Sequence, residues 1–405
     1  MPERGPLTCA GCGLLCDDVS LARADDGVRL EPRCDLGSQW FTERLRSDAD
    51  AEPRATIDGQ PADVDAALAR ARELLRGARR PLLHGFGAAT IEDVRAAVAL
   101  GDRLGAILAT EPLRGDWPGV PALALRGAST ATLGEIRERS RVVIVWREDP
   151  ITTHPRLLER LGFGDGSSAT GDGERTLVVV DDRDTATAER ADMRLPLPQA
   201  RDLGALSSLH ALQRGRALSA SDAEDELHEL LHRINDAPHT AFAYGPGLIA
   251  GAGGQRRELA LHELVRELSH SRHVVTLALP PAAGTRGAQD VLAWQTGYAG
   301  NVDLAGGHPR PTVSTRPLAD DAPIDVSLCV EGDPSERPAA TTALVLSSRP
   351  VDGVEVSIRT APAGVTATGT AHRLDGTPLA LQAPMPSEAP TAAALLTRLL
   401  EELTA

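Results

Sequence analysis

Val142-Val143-Ile144-Val145-Trp146 is an unbroken apolar run, and Leu177-Val178-Val179-Val180 is a second. A strand with one wet face alternates polar and apolar residues, whereas a run without alternation is buried on both faces. Both faces are covered when helices pack on each side of a parallel sheet, so these two runs predict an α/β fold. Residues 132–139, just ahead of the first run, carry helical spacing, and Leu157-Leu158 opens another helix between the two. Residues 164–173 are rich in Gly, Ser and Asp and read as a surface loop.

The same alternation extends both ways. Residues 63–76 place Val64, Ala67, Leu68, Ala71, Leu74 and Leu75 on one helical face, with Asp63 where an acid favours a helix start. Residues 81–87 read as a buried strand ending in a Gly turn, 91–104 as a helix and 106–108 as a strand. A second α/β stretch starts near 238. It contains a strand and turn at 241–247, a helix at 258–268, strands at 274–279, 324–330, 344–347 and 354–358, and an amphipathic helix at 391–403. Ahead of all this, short alternation at 19–21 and 28–31 predicts small hairpins, and residues 51–54 read as a linker. No repeat of solenoid period is visible.

A chain of 405 residues is too long for one core and predicts two or three domains. At 42% hydrophobic and 2% aromatic, the cores must be built mainly from Leu, Val, Ile and Ala. The net charge of −15 argues against nucleic acid, whose phosphates need clustered cations. No Lys occurs, so all 42 basic residues are Arg, a compositional bias. No apolar run approaches the ~18 residues of a membrane span. Residues 1–8 lack a charged segment followed by an apolar one, so no secretory signal is read and a cytoplasmic protein is expected. Four of the five cysteines fall between residues 9 and 34, which suits a local metal site better than a disulfide framework.

Those four are Cys9, Cys12, Cys16 and Cys34, in the pattern C-x2-C-x3-C-x17-C. Three thiolates on one tight loop and a fourth from a later element suit a [4Fe-4S] cluster. Gly11 and Gly13 let the backbone close round it. Zinc also takes four thiolates, typically from two separate knuckles, and free thiols are the third reading. Cys329, inside an apolar strand, reads as a small buried hydrophobe. Elsewhere, His154-Pro155-Arg156 can hold an anion in a cleft, or simply start a helix at Pro155. Asp181 and Arg183 follow a strand, where doubly wound sheets bind ligands; the alternative is a solvated loop. Gly369-Thr370 with Arg373 can cradle a ligand or merely fix a turn. His262, His270 and His273 read as surface histidines. Neither G-x-S-x-G nor H-E-x-x-H is present, so self-contained hydrolase chemistry has no seat.

Together the motifs resemble one family. Cys9-Ala10-Gly11-Cys12-Gly13-Leu14-Leu15-Cys16-Asp17-Asp18 is similar to the start of the B-type chain of formylmethanofuran dehydrogenase. In the family's order follow Thr132-Leu133-Gly134-Glu135-Ile136, Asp149-Pro150, His154-Pro155-Arg156 and Val179-Val180-Asp181 with Arg183 and Thr185-Ala186-Thr187. Then come Tyr244-Gly245-Pro246-Gly247, Trp294-Gln295-Thr296-Gly297, Gly306-Gly307-His308-Pro309-Arg310, Gly332-Asp333-Pro334 and Gly369-Thr370-Ala371-His372-Arg373-Leu374-Asp375. The resemblance spans nearly the whole chain. It implies a molybdopterin-oxidoreductase core like that of formate dehydrogenases: a small N-terminal Cys domain and two Rossmann-like parallel-sheet domains, one interrupting the other. The expected division is a Cys domain at 1–55 and a first Rossmann-like domain at 56–115 and 238–350. The second such domain is expected at 116–237, and a C-terminal segment at 351–405 returns to the Cys domain. Active members of the family bind a [4Fe-4S] cluster and a tungsten or molybdenum bis-pterin and interconvert CO2 and formate for a C1 carrier. His154, Arg156, Asp181, Arg183, Gly245, Gly247, Thr370 and Arg373 are then the remnants of a pterin or anion site.

Two departures matter. Active members place a Cys or selenocysteine metal ligand ahead of the segment matching 132–136, yet residues 110–131 contain no Cys. Asp116 is not a like-for-like ligand for a soft metal. The turn Arg147-Glu148-Asp149-Pro150 also adds two carboxylates that oppose an anionic pyrophosphate. The bis-pterin is therefore expected to be absent. The better match is a branch that forms formyltransferase/hydrolase complexes, with amidohydrolase-like A, C and formyltransferase D homologues as partners, in one-carbon metabolism of tetrahydromethanopterin and methanofuran. In that setting this chain is a redox-silent scaffold. The alternatives are an active pterin oxidoreductase with an oxygen ligand, and a non-enzymatic iron–sulfur or zinc assembly protein.

Overall fold

The structure is a computed structural model describing residues 6–24, 27–49, 53–110, 125–164, 175–217, 224–312, 323–336 and 341–404. The chain forms two compact units: unit 1 is Met1–Gly115 with Ala282–Ala405, and unit 2 is Asp116–Pro281. Linker residues 51–52, most of the loop expected at 164–173, and positions 111–124 of the Cys-free stretch, Asp116 included, lie outside the described residues.

Unit 2 carries a five-stranded parallel sheet in the order His273–Ala278, His239–Tyr244, Val142–Trp146, Thr176–Val180, Met193–Leu195. Counted along the chain this is 5-4-1-2-3, the doubly wound order, with the direction of winding reversing between Val142–Trp146 and His239–Tyr244. Both strands are buried throughout. Leu206 and Leu209, Leu230 and Ile234, and Leu261, Leu264 and Leu268 bring three helices onto this core. The expected boundary at 237 is corrected here. Residues 239–244 and 273–278 pair into this sheet, so the unit runs to Pro281. Their apolarity predicts burial but does not say against which sheet.

Unit 1 is built on a nine-stranded sheet. Its five central strands are parallel, in the order Ile107–Ala109, Leu82–Gly85, Val326–Val330, Thr342–Ser347, Val356–Arg359. Short antiparallel pairs finish both edges. Helix Val64–Gly77 starts where Asp63 accepts from the Ala66 N–H at 2.7 Å. Helix Ile91–Leu104 has a capping box made by Thr90 and Asp93 and ends at Gly105, whose φ of 60° favours glycine. The last helix, Ala392–Thr404, packs Leu395, Leu396 and Leu399 into the same core.

The N-terminal segment contains the expected hairpin, Ser20–Ala24 with Gly27–Glu31, and a helix that the sequence pattern does not predict, Asp35–Ala49. That helix is held partly by polar contacts. Buried Arg44 donates to the Ser348 hydroxyl at 3.0 Å, and Ser348 donates to the Glu331 carboxylate at 2.8 Å. Toward the C-terminus, the pair Gly369–His372 and Pro378–Leu381 lies against the cysteine loop. Leu374 N–H donates to Gly13 O at 2.9 Å and Thr8 N–H to Gln382 Oε1 at 2.9 Å. Leu15, Ala283, Ala371 and Leu381 form a small apolar cluster beneath. Among the described residues no helix is long and apolar enough to cross a membrane.

Candidate functional site

The cysteine loop draws its thiols into one pocket. Cys9, Cys12 and Cys16 are buried and Cys34 is half-buried. Cys9 N–H donates to Cys16 O at 2.8 Å, and Leu15, with φ of 41°, turns the loop back. Burial pushes the Cys12 thiol up to about 12, and burial raises Cys9 as well; each is further raised by the charge of its neighbouring thiols. Two backbone amides point at sulfur, Gly11 to Cys9 and Gly37 to Cys34, both at 3.4 Å. A Cβ on Gly37 would stand 3.1 Å from Cys9 Sγ and 2.3 Å from Leu30 Cδ1, so a larger residue there would have to displace Leu30. Four thiols, two of them with a backbone amide aimed at sulfur, are the donor type an iron–sulfur cluster uses. As they stand, no three His, Cys, Asp or Glu among the described residues form a group that could hold a metal ion.

In unit 2 the ligand position of a doubly wound sheet is the crevice at the strand ends between Val142–Trp146 and His239–Tyr244. Arg147, Glu148 and Gly245-Pro246-Gly247 occupy it. A Cβ on Gly245 would fall 1.7 Å from Glu148 Oε2, and one on Gly247 would fall 2.3 Å from Arg147 O. The glycines therefore admit the neighbouring loop. Glu148 accepts from Asp149 N–H at 2.9 Å and from the Thr153 hydroxyl at 3.1 Å, and burial raises its pKa. Arg147 sits at φ 55° and is almost wholly buried. Its guanidinium donates to Asp202 at 2.9 and 3.0 Å, to Asp182 at 2.7 Å and to Leu197 O. Asp181 stands 3.5 Å away. Burial lifts the Asp202 carboxyl and Arg147 offsets part of that; with two guanidinium donors on it, we read the pair as ionic. The crevice is closed by a network of the chain's own charges.

In unit 1 the equivalent position lies between Leu82–Gly85 and Val326–Val330. Here the strand ends meet backbone to backbone: a Cβ on Gly332 would be 2.4 Å from Gly85 Cα. Gly85 takes φ of 103°, and Phe86 and Glu331, the next residues of the two strands, take φ of 70° and 48°. Beside them, among Ala10, Trp40, Arg44, Ala88, Gly284 and Ser348, a void of about 10 Å3 remains, room for a single water. A cofactor-sized ligand needs roughly 300 Å3 or more. The void beside the unit 1 crevice falls far short of that and Glu148 occupies the unit 2 crevice, so no step through a bound pterin is derived.

The remaining sequence-predicted residues are satisfied internally. His154 bonds Pro280 O at 3.0 Å and the Thr153 hydroxyl at 3.0 Å, and burial lowers its pKa, so it is a neutral packing group. Arg156 is paired with Glu159 at 2.8 Å. Arg183 folds back on Asp181 at 2.6 Å. Thr370 donates through N–H and hydroxyl to Glu92, at 3.0 and 2.8 Å. Arg373 pairs with Asp375 at 2.8 Å. Cys329 is buried, as its apolar strand implies. His262, read as surface, is buried instead: it meets the Tyr244 hydroxyl at 3.1 Å, and burial lowers its pKa to about 4.

No protein-family model matches the chain. It is 27% identical, over 93% of its length and 92% of the relative's, to the B-type chain of the tungsten-containing formylmethanofuran dehydrogenase 2 of Methanocaldococcus jannaschii. It is 27% identical over 63% of its length, and 67% of the relative's, to the B-type chain of the formyltransferase/hydrolase complex Fhc of Methylorubrum extorquens. In three dimensions it resembles a chain of the crystal structure of the M. extorquens formyltransferase/hydrolase complex (FhcABCD) with methylofuran. The TM-score is 0.71 at 25% identity, covering 86% of this chain and 98% of that one.

Proposed function

We propose that this homologue of the B-type chains of formylmethanofuran dehydrogenase and Fhc takes the same place in a formyltransferase/hydrolase-type complex of one-carbon metabolism, and that it is redox-silent there. Its partners are the A, C and D components of such an assembly. Its fold is then a molybdopterin-oxidoreductase core that has outlived its cofactor. The observation that carries the reading is Glu148 lying over Gly245. The carboxylate fills, with the wrong charge, the crevice that a pterin pyrophosphate would use. The chain's part is to hold its partners and keep its own interior closed to water; proton and group transfer belong to the other components.

A second reading has its own support, because the relative matched over 93% of the chain belongs to a tungsten-containing enzyme. Purifying the native complex anaerobically and measuring tungsten and molybdenum separates the two. The scaffold reading expects neither metal above trace with A, C and D homologues co-purifying; one tungsten or molybdenum per chain would overturn it.

Cys9, Cys12, Cys16 and Cys34 would hold a [4Fe-4S] cluster in the same protein. A cubane binds its thiolates at separate corners, farther apart than four ligands on one zinc ion, which suits sulfurs that share a pocket without converging. The cluster would supply folding free energy to the N-terminal segment. Iron and sulfide at four each per chain is the expected assay result, and stoichiometric zinc is the outcome that would replace it.

A further inference from the structure

The end of unit 2 where its strands begin, opposite the closed crevice, holds a histidine with an unsatisfied nitrogen. His239 opens the strand His239–Tyr244 and is 4% exposed. Its Nδ1 bonds the Ser140 hydroxyl at 2.8 Å. Its Nε2 is buried and, among the described residues, makes no hydrogen bond. What faces it is a carboxylate: Glu135 Oε1, on the helix Leu133–Arg139, stands 3.9 Å away, too far to bond. Burial lowers the His239 pKa; Glu135 raises it, while His273 and Arg139 lower it further, and the ring is uncharged near neutrality. With Nδ1–H donating to Ser140, Nε2 turns a bare lone pair toward a negative oxygen, an arrangement that calls for a cation between them. His273, the first residue of the neighbouring strand His273–Ala278, lies directly across from His239 in the parallel register. Its exposed ring stacks on that of His239 at 6.4 Å.

We propose that His239, His273 and Glu135 form a site for a divalent cation of the zinc class, with water as its fourth ligand. Two imidazoles and one carboxylate around an open position are a donor set that zinc accepts. Tetrahedral zinc holds its ligand atoms about 3.4 Å apart, so the gap at Nε2 needs only a small closing movement of the half-exposed Glu135. His273 has to turn out of its stack to reach the ion, and an exposed ring does so freely. Ser140 then fixes the His239 tautomer and ring plane from behind. Arg139, 3.6 Å from the Glu135 carboxylate, opposes the ion. The metal ties the helix to the first residues of two strands. The proposal depends neither on the scaffold reading nor on the cysteine quartet, since it uses none of their residues.

Calorimetric titration of the native protein with zinc chloride tests it. Unchanged protein and variants are titrated in parallel, so every other metal-binding group, the cysteine quartet included, cancels in the difference. His273→Asn, at an exposed position, should remove one zinc equivalent per chain. Glu135→Gln should weaken that equivalent, and Ser140→Ala should weaken it about tenfold. Arg139→Gln should tighten it, an opposite-signed change that misfolding does not produce. His270→Asn, exposed and ahead of the strand, should leave it unchanged. Equal zinc uptake by the unchanged and His273→Asn proteins, the result that a water in the gap would give, would overturn the proposal, as would an equivalent lost with His270 instead.

Discussion

The two units solve the same problem by different means. Each has a parallel sheet whose winding reverses and so opens a crevice at the strand ends. In unit 2 the crevice is filled by side-chain charge, Glu148 over Gly245 and Arg147 among Asp181, Asp182 and Asp202. In unit 1 it is filled by backbone, Gly85 against Gly332. In both units a non-glycine residue leaves the strand in the left-handed region, Arg147 in one, Phe86 and Glu331 in the other. Such conformations cost about 1–3 kcal/mol each and persist where surroundings over-determine them. Charge closure depends on every partner staying in place, while backbone closure depends only on small residues.

The largest expected effect breaks the unit 2 network. Arg147→Ala should destabilise the protein by about 3–5 kcal/mol, because Asp202 is left buried without its ion-pair partner while Asp181 keeps Arg183. Urea unfolding measures it, and a midpoint like that of the unchanged protein would show that charge does not hold this crevice shut. Arg147→Lys should recover little, since one ammonium cannot reach Asp182, Asp202 and Leu197 O together.

Next is the buried carboxyl of unit 1. Glu331 accepts from the Thr360 hydroxyl and from Ser348 N–H and hydroxyl, so Glu331→Gln should cost about 1–3 kcal/mol. Burial holds its folded pKa above the ordinary carboxylate range. The folded state therefore binds its proton over a window in which the unfolded chain has released it. Its contribution is full below the ordinary Glu value and declines as pH rises through the folded value. Denaturant midpoints across a pH series should show the penalty of Glu331→Gln shrinking with rising pH; a penalty that grows would reverse the assignment.

A double-mutant cycle sharpens the comparison at the smallest scale. Gly245→Ala alone collides with Glu148 and should destabilise; Glu148→Ala should relieve most of that, giving a coupling of about 0.5–3 kcal/mol. The equivalent pair in unit 1 meets backbone to backbone, so no side-chain truncation should rescue Gly332→Ala.

What is legible in the sequence is what is decided locally. The runs 142–146 and 177–180 and the helix 91–104 with its Thr90 start follow from periodicity and caps. Helix Asp35–Ala49 escapes because, among its described apolar side chains, only Phe41 is fully buried and Arg44 shares the inner face. The sheet that claims 239–244 is illegible because a wholly apolar strand carries no label for its partner. His154, Arg156, Thr370 and Arg373 look like ligand groups, yet each has found a partner close in the fold. The meeting of Glu148 with Gly245, and of His239 with Glu135 and His273, depends on tertiary placement alone. The added carboxylates at 148 and 149 are visible and signal trouble for an anion; that one of them fills the crevice is not.

The contacts that dock the cysteine segment also set the order in which it is finished. Arg44 and Ser348 are 304 residues apart in the chain, and Thr8 and Gln382 are 374 apart. Contacts of that span form late, since much of the chain must be in place first. On the ribosome the cysteine segment, made before both sheets, is then completed after them, and its four thiols wait in solvent while the sheets assemble. Alkylation of nascent chains arrested at increasing lengths should find those cysteines reactive until residues beyond 382 have emerged, which would make any metal loading a step of late assembly.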